Sequence, residues 1–283
     1  MKRLLFGIAG CGVLVAMSTS PALANHAWND YHWATRGTAF TLSLGNNLTT
    51  TEWQNDLATV SSQWSSAPAA KRVLSTSVVV GNDIGRQKRC RPTSGRVEVC
   101  NARYGRTGWL GVATIWITSG SHIVQGTVKV NDTYLAPDSF YTYNTAEERL
   151  HVICQEVGHT FGLDHQDTSG ATYGTCMDYF HNVSGDARST EPDRGDYDQL
   201  ACIYNAALNG QTLTFLGSNN PYQAPHSCTG TGHDDGMTTV GAAAYSPAAA
   251  ELPAWANPSR DAYVAHLPNG LTQISFVTWA SRP

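Results

Sequence analysis

The stretch HVICQEVGHTFGLDHQD, residues 151–167, decides how this chain is read. On a helix, residues four apart share a face, so Gln155 and His159 converge on one point beside it. Glu156 follows Gln155 directly, where its carboxylate can hold and deprotonate a metal-bound water. Gly162 lets the backbone leave the helix abruptly through positive φ, and His165 can then return as a third donor. Three protein ligands with an open fourth position are what hydrolytic zinc needs, because the bound water is then both acidic and accessible. Gln155 is the odd donor of the set. Its amide oxygen reaches about where an imidazole nitrogen would sit, but it is neutral and a weaker partner for zinc. His151 does not replace it, because it lies two helical turns before His159, about 12 Å along the axis at 1.5 Å per residue. His151 is read as a supporting or surface residue.

The ends of the chain set the compartment. MKR, the apolar run LLFGIAGCGVLVAM and the small residues ALA at 22–24 read as a signal peptide over residues 1–24. The apolar stretch before Cys11 is too short for a lipid-attachment signal, and no later stretch approaches the roughly 20 apolar residues of a membrane span. The expectation is a secreted chain with no membrane partner after cleavage. With residues 1–24 removed, 16 Lys and Arg face 22 Asp and Glu, a net charge of −6, with no basic run or patch signature. Nucleic acid and anionic membrane surfaces are accordingly poor partners, and a monomer is expected.

Once Cys11 leaves with the signal, six cysteines remain: Cys90, Cys100, Cys154, Cys176, Cys202 and Cys228. An even number in an exported chain argues for disulfides, and no C-x-x-C spacing suggests a cysteine zinc site. Local pairing of Cys90 with Cys100 is the simplest reading. A bridge from Cys154 on the motif helix to Cys202 on a later helix comes next, which leaves Cys176 with Cys228.

Hydrophobic patterning places the motif in an α+β chain with one sheet and a few helices. AFTLSLG (39–45) reads as a strand, and TTTEWQNDLATVSSQWSSA (49–67) as a helix with Trp53, Leu57, Val60 and Trp64 on one face. VLSTSVVVG (73–81), RVEVCNARY (96–104), WLGVATIWI (109–117) and GTVKVNDTYL (126–135) are β-rich. Thr145 and Glu148 form a capping box that starts the motif helix at about Ala146. DYDQLACIYNAAL (196–208) reads as a second helix with Asp196 as N-cap. After Asn209 the chain turns Gly-, Pro- and Ala-rich, and YVAHLPNGLTQISFVTWA (263–280) reads as a hairpin turning at Asn269–Gly270. Residues 25–209 are thus one domain and 210–283 an extension tied back by Cys228.

Further along, TCMDY places Met177 twelve residues past His165. QEVGHTFGLDH followed by CMDY resembles the matrixin branch of the metzincin zinc peptidases, whose pattern is H-E-x-x-H-x-x-G-x-x-H. GWLGVATIW (108–116) is similar to the strand bordering the matrixin substrate cleft, and DYDQLACIY (196–204) to its closing helix. The resemblance spans about residues 32–208. It implies a zincin-like α+β fold: one mixed twisted sheet with an N-terminal helix, a motif helix and a closing C-terminal helix. It further implies one catalytic Zn2+ held by Gln155, His159 and His165, Glu156 as general base, and a turn carrying Met177 beneath the metal. An extended polypeptide substrate would lie along Trp109, Leu110, Gly111, Val112 and Ala113 by strand addition. Two features depart from the family pattern: Gln155 replaces the first histidine, and no propeptide cysteine switch follows the signal.

The leading expectation is therefore a secreted zinc-dependent endopeptidase, with a metzincin-fold binding protein of weak or absent zinc as the alternative. An ordinary disulfide-stabilised protein unrelated to metzincins is the third reading. HDDG (233–236) offers carboxylates for calcium, against the plainer reading of an exposed loop, which is preferred. The segment 178–195 is expected to wall the specificity pocket. Asn47, Asn131 and Asn182 carry N-x-[ST] sequons.

Overall fold

The structure is a computed structural model that describes residues 26–28, 31–35, 38–118, 121–205, 238–240 and 260–280. The expected signal peptide, Cys228 and the HDDG stretch lie outside the described residues. After the two-residue strand β1 (His32–Trp33), β2 (Phe40–Asn47) leads into helix α1 (Thr51–Trp64). Thr50 caps α1 by accepting from the Trp53 amide, and Trp53, Leu57, Val60 and Trp64 form its buried face. Strands β3 (Leu74–Val80), β4 (Val97–Ala102), β5 (Trp109–Ile117) and β6 (His122–Asn131) follow. A short helix α2 (Asp132–Leu135), the motif helix α3 (Ala146–His159) and α4 (Arg194–Ile203) come next. Strands β7 (Thr238–Val240), β8 (Ala262–His266) and β9 (Thr272–Trp279) complete the order.

The strands make a single mixed sheet in the order β3-β2-β4-β6-β5-β9-β8-β7, with β1 paired alongside β6. β2, β3, β4 and β6 run parallel, and β5 is antiparallel to both β6 and β9. Every residue of β5 is buried, as expected for a strand covered on both faces. Helix α3 packs against β5, β6 and β9, and α1 packs against α3. Trp64 and Phe161 meet edge-to-face in the core between these helices.

Several elements differ from expectation in instructive ways. The β-rich run 126–135 divides at Asn131, whose side chain accepts from the Thr133 amide and caps α2. Helix α4 begins at Arg194 rather than at 196, because Asp193 is the N-cap and Asp196 closes a reciprocal capping box. The capping box of α3 is half formed. Thr145 accepts from the Glu148 amide at 3.1 Å, but the Glu148 carboxylate turns to His181 and the Asn182 amide. The three sequon asparagines are buried, and their side chains bond to Glu98 (Asn47), to the Trp109 carbonyl (Asn131) and to the Asp186 carbonyl (Asn182).

The Cys90–Cys100 bridge forms as expected. Cys154 pairs with Cys176, not with Cys202. The turn carrying Cys176 docks directly onto α3, where Gln155 donates to the Cys176 carbonyl, so the nearer partner wins. The leftover pairing of Cys176 with Cys228 falls with it, and Cys202 is itself disulfide-bonded. The expected C-terminal hairpin forms as β8 and β9, but it is not set apart from the domain. β9 runs along the whole of β5, from Trp109 opposite Trp279 to Ile117 opposite Thr272. Among the described residues no helix is long and apolar enough to cross a membrane.

Candidate metal centre

Gly162 sets the geometry of the motif. Its φ is +99°, and a Cβ there would lie 1.9 Å from the Tyr31 carbonyl oxygen, so only glycine turns the chain at this point. The turn lets the Leu163 carbonyl accept from His159 Nδ1 at 2.8 Å. A carbonyl only accepts, so the proton is on Nδ1 and Nε2 presents a lone pair. Burial pushes the His159 pKa down to about 4, which keeps the ring neutral. The chain then returns to place His165 Nε2 only 3.1 Å from His159 Nε2. Asp164 and Asp261 bring carboxylate oxygens to 3.7 and 3.8 Å from His165 Nδ1, which favours a proton on that nitrogen. Two imidazole nitrogens so placed need a cation or a shared proton between them. At Zn–N distances of about 2.0–2.1 Å, tetrahedral ligands stand roughly 3.3 Å apart, close to this separation.

Gln155 is committed to other partners. Its Nε2 donates to the carbonyls of Cys176 (3.0 Å) and Asp178 (2.8 Å), and its Oε1 accepts from the Thr278 hydroxyl (2.7 Å). The ligand role expected for Gln155 is corrected: the amide ties α3 to the 176–178 turn and to β9. The arrangement is self-consistent, because a buried carboxamide is most stable when both its donors and its acceptor are used.

Glu156 is fully buried. It rests against Gly111, where a Cβ would fall 2.4 Å from its Oε1, so the glycine makes room for the carboxyl. The β5–β9 register shifts between Trp109 and Gly111, and this bulge puts Gly111 opposite Thr278. Burial raises the Glu156 pKa to about 8, opposed by polar groups of Thr278 and the Ala113 backbone. None of these groups reaches full hydrogen-bond geometry, and both carboxyl oxygens are without a hydrogen-bond partner. A buried carboxyl with a raised pKa and no hydrogen-bond partner is a functional-site candidate.

Met177 is buried against Gly158, next to His159, where a Cβ on the glycine would lie 2.5 Å from its Sδ. Trp109, Leu110, Gly111, Val112 and Ala113 all lie in β5, and the edge expected to take substrate is instead paired with β9. Phe276 of β9 stacks on His159, centroids 4.9 Å apart at 16°. From the 178–195 segment, Tyr179 meets His165 edge-to-face at 4.8 Å, and its hydroxyl oxygen accepts from the Trp279 amide. His151 is buried rather than exposed, correcting the surface reading; its Nδ1 donates to the Ser189 carbonyl at 2.6 Å. Sequence reasoning missed Asp261, Phe276 and Thr278, which lie about a hundred residues beyond the motif.

Judged by donor chemistry, His159 and His165 fit two positions around one zinc ion, and Gln155 as oriented does not supply the third. Among the described residues no three His, Cys, Asp or Glu side chains gather as a metal-ligand set. No protein-family model matches the chain, and no curated protein matches it.

Proposed function

We propose that this chain is a secreted, zinc-dependent peptide hydrolase of metzincin type, held with its active centre covered by its own C-terminal strand. The observations that carry the reading are the facing Nε2 atoms of His159 and His165 and the unpartnered carboxyl of Glu156, three residues before His159 on the same helix. The bridges at Cys90–Cys100 and Cys154–Cys176 are compatible with an oxidising compartment. When bound, zinc polarises a carbonyl and acidifies a water. Glu156 would accept the proton of that water. With its pKa at about 8 the carboxyl keeps its own proton at neutral pH, and a cation held by the histidine pair would draw it down into the working range of a base. Gly111 gives this carboxyl its space, and the lock of His159 Nδ1 on Leu163 aims the first imidazole.

A second reading, a metzincin-fold binding protein without catalysis, is favoured by the three hydrogen bonds that commit Gln155 elsewhere. Glu156→Gln distinguishes the two. Under the hydrolase reading the variant keeps its fold and its metal while peptide hydrolysis falls about 10²–10⁴-fold. Hydrolysis unchanged in Glu156→Gln removes the base assignment. Zinc uptake by the wild type without any cleavage of an unfolded protein substrate favours the binding protein.

A further inference from the structure

The cationic residues of this chain are unevenly placed. Seven of its 18 Lys and Arg fall between 86 and 106, where only Glu98 is acidic. The sequence reading of a chain without a basic patch is thereby corrected, because the disulfide and the sheet fold this segment into one locality. Arg86, Lys88, Arg89 and Arg103 line an open cavity of about 630 Å³ that shares no residue with the histidine pair. Its floor lies at the carboxyl ends of β2 and β4, through Thr49, Asn101 and Ala102, with Asp132 at the start of α2. Such strand ends are where open sheets with parallel strands commonly take their ligands.

The loop that carries the cations is held in shape. Cys90 bridges to Cys100, and the buried Asp83 accepts from the Arg91 amide and guanidinium. Tyr104 donates its hydroxyl to the Gln87 carbonyl. Arg103 is paired with Asp138, but Arg86, Lys88 and Arg89 are exposed and make no ion pair among the described residues. The one carboxylate on the floor, Asp132, already accepts from Trp53 Nε1 at 2.8 Å and Asn101 Nδ2 at 2.6 Å. The backbone that carries three unpaired cations is thus held beside a polar hollow, so only their side chains need ordering when an anion arrives.

We infer that this cavity binds a segment of an anionic polysaccharide bearing sulfate or phosphate esters. Guanidinium groups match the geometry of such oxyanions. The cations rim a wide hollow rather than converge on a point, which suits several esters along a chain better than one free ion. No aromatic side chain lines the cavity, so it lacks the stacking platform of a single-strand nucleic-acid site. The lining is also free of large apolar side chains that would enter a bilayer.

The test uses the full chain and dextran sulfate, phosphomannan, neutral dextran, a single-stranded oligonucleotide and anionic phospholipid vesicles, each followed by calorimetry at low and moderate salt. Saturable binding of dextran sulfate or phosphomannan, and not of neutral dextran, is expected; the tighter of the two identifies the ester. Arg86→Gln/Lys88→Gln/Arg89→Gln should weaken binding at least about tenfold and lower the salt slope by about one per cation removed. Arg72→Gln/Arg188→Gln/Arg194→Gln changes net charge equally at exposed sites elsewhere and should stay within about twofold of wild type. Equal losses in the two triple variants, or no binding of either polysaccharide at low salt, overturn the site. Oligonucleotide or vesicles binding more tightly than both polysaccharides, with that binding lost in the first variant, overturn the ligand class. His159→Ala should leave polysaccharide binding intact, so this result stands apart from the fate of the hydrolase reading.

Discussion

Replacing Gln155 by histidine separates the structural work of this residue from the chemical role its position suggests. The substitution removes two donations to the Cys176 and Asp178 carbonyls and leaves the Thr278 hydroxyl without its acceptor. At about 1 kcal/mol net per buried hydrogen bond, the metal-free variant should lose about 3 kcal/mol. For a chain of this size that corresponds to a melting temperature lowered by roughly 6–12 °C. In exchange the new imidazole stands one turn before His159 on the same face of α3, so three ring nitrogens can meet at one ion. Zinc at a hundredfold excess over its dissociation constant returns about 2.7 kcal/mol, most of the loss. The two-histidine wild type should bind about 10–100-fold more weakly and gain correspondingly less. The assay is differential scanning calorimetry of both proteins, with chelator and with a fixed zinc concentration. The reasoning fails if the chelated variant is as stable as wild type, or if zinc stabilises the two proteins equally.

The other consequences follow from single contacts. Cys154→Ala with Cys176→Ala releases a loop of sequence separation 22 that ties α3 to the Met177 turn, and urea denaturation should show a loss of about 3 kcal/mol. A loss below about 1 kcal/mol would mean that the turn holds without the bridge. Gly162→Ala forces a side chain into the Tyr31 carbonyl at φ +99°, so its soluble yield and melting temperature should fall well below those of a surface Gly170→Ala control. The buried His159 is neutral in the folded chain down to a pKa of about 4, whereas the unfolded ring takes up a proton near 6.5. Its contribution is therefore intact above pH 6.5 and drains away as the pH falls to 4, reaching a loss of about 3 kcal/mol. In chelator, His159→Gln should flatten that acid limb, and an unchanged slope would place the titration elsewhere.

Local chemistry made much of this fold legible and long-range docking made the rest invisible. Trp53, Leu57, Val60 and Trp64 announced α1 by their spacing, and WLGVATIWI announced a strand that the structure reproduces residue for residue. The convergence of His159 with His165 was readable because Gly162 permits only a sharp return. The fate of Gln155 was not. It is decided by Thr278 and by the carbonyls of the 176–178 turn, groups joined to it only by folding. Likewise the Asn269–Gly270 turn revealed a hairpin, but a strand's pattern does not name the edge it pairs with, and β9 chose β5. Cys154 was misassigned for the same reason: helix membership says little about which turn packs over a given thiol. The cations of 86–91 were not read as a patch, because only the Cys90–Cys100 bridge and the Asp83–Arg91 pair turn them into one surface.

The central claim, that His159 and His165 form a metal-binding pair, is tested most directly by titrating zinc into the metal-stripped full chain. Calorimetry at pH 7.5 should give one saturable site in wild type, lost in His159→Ala and in His165→Ala. The site should persist within a few-fold in Gln155→Ala, because the amide is committed to other partners. Absence of saturable binding in wild type, or binding as tight as wild type in either histidine variant, would contradict the account.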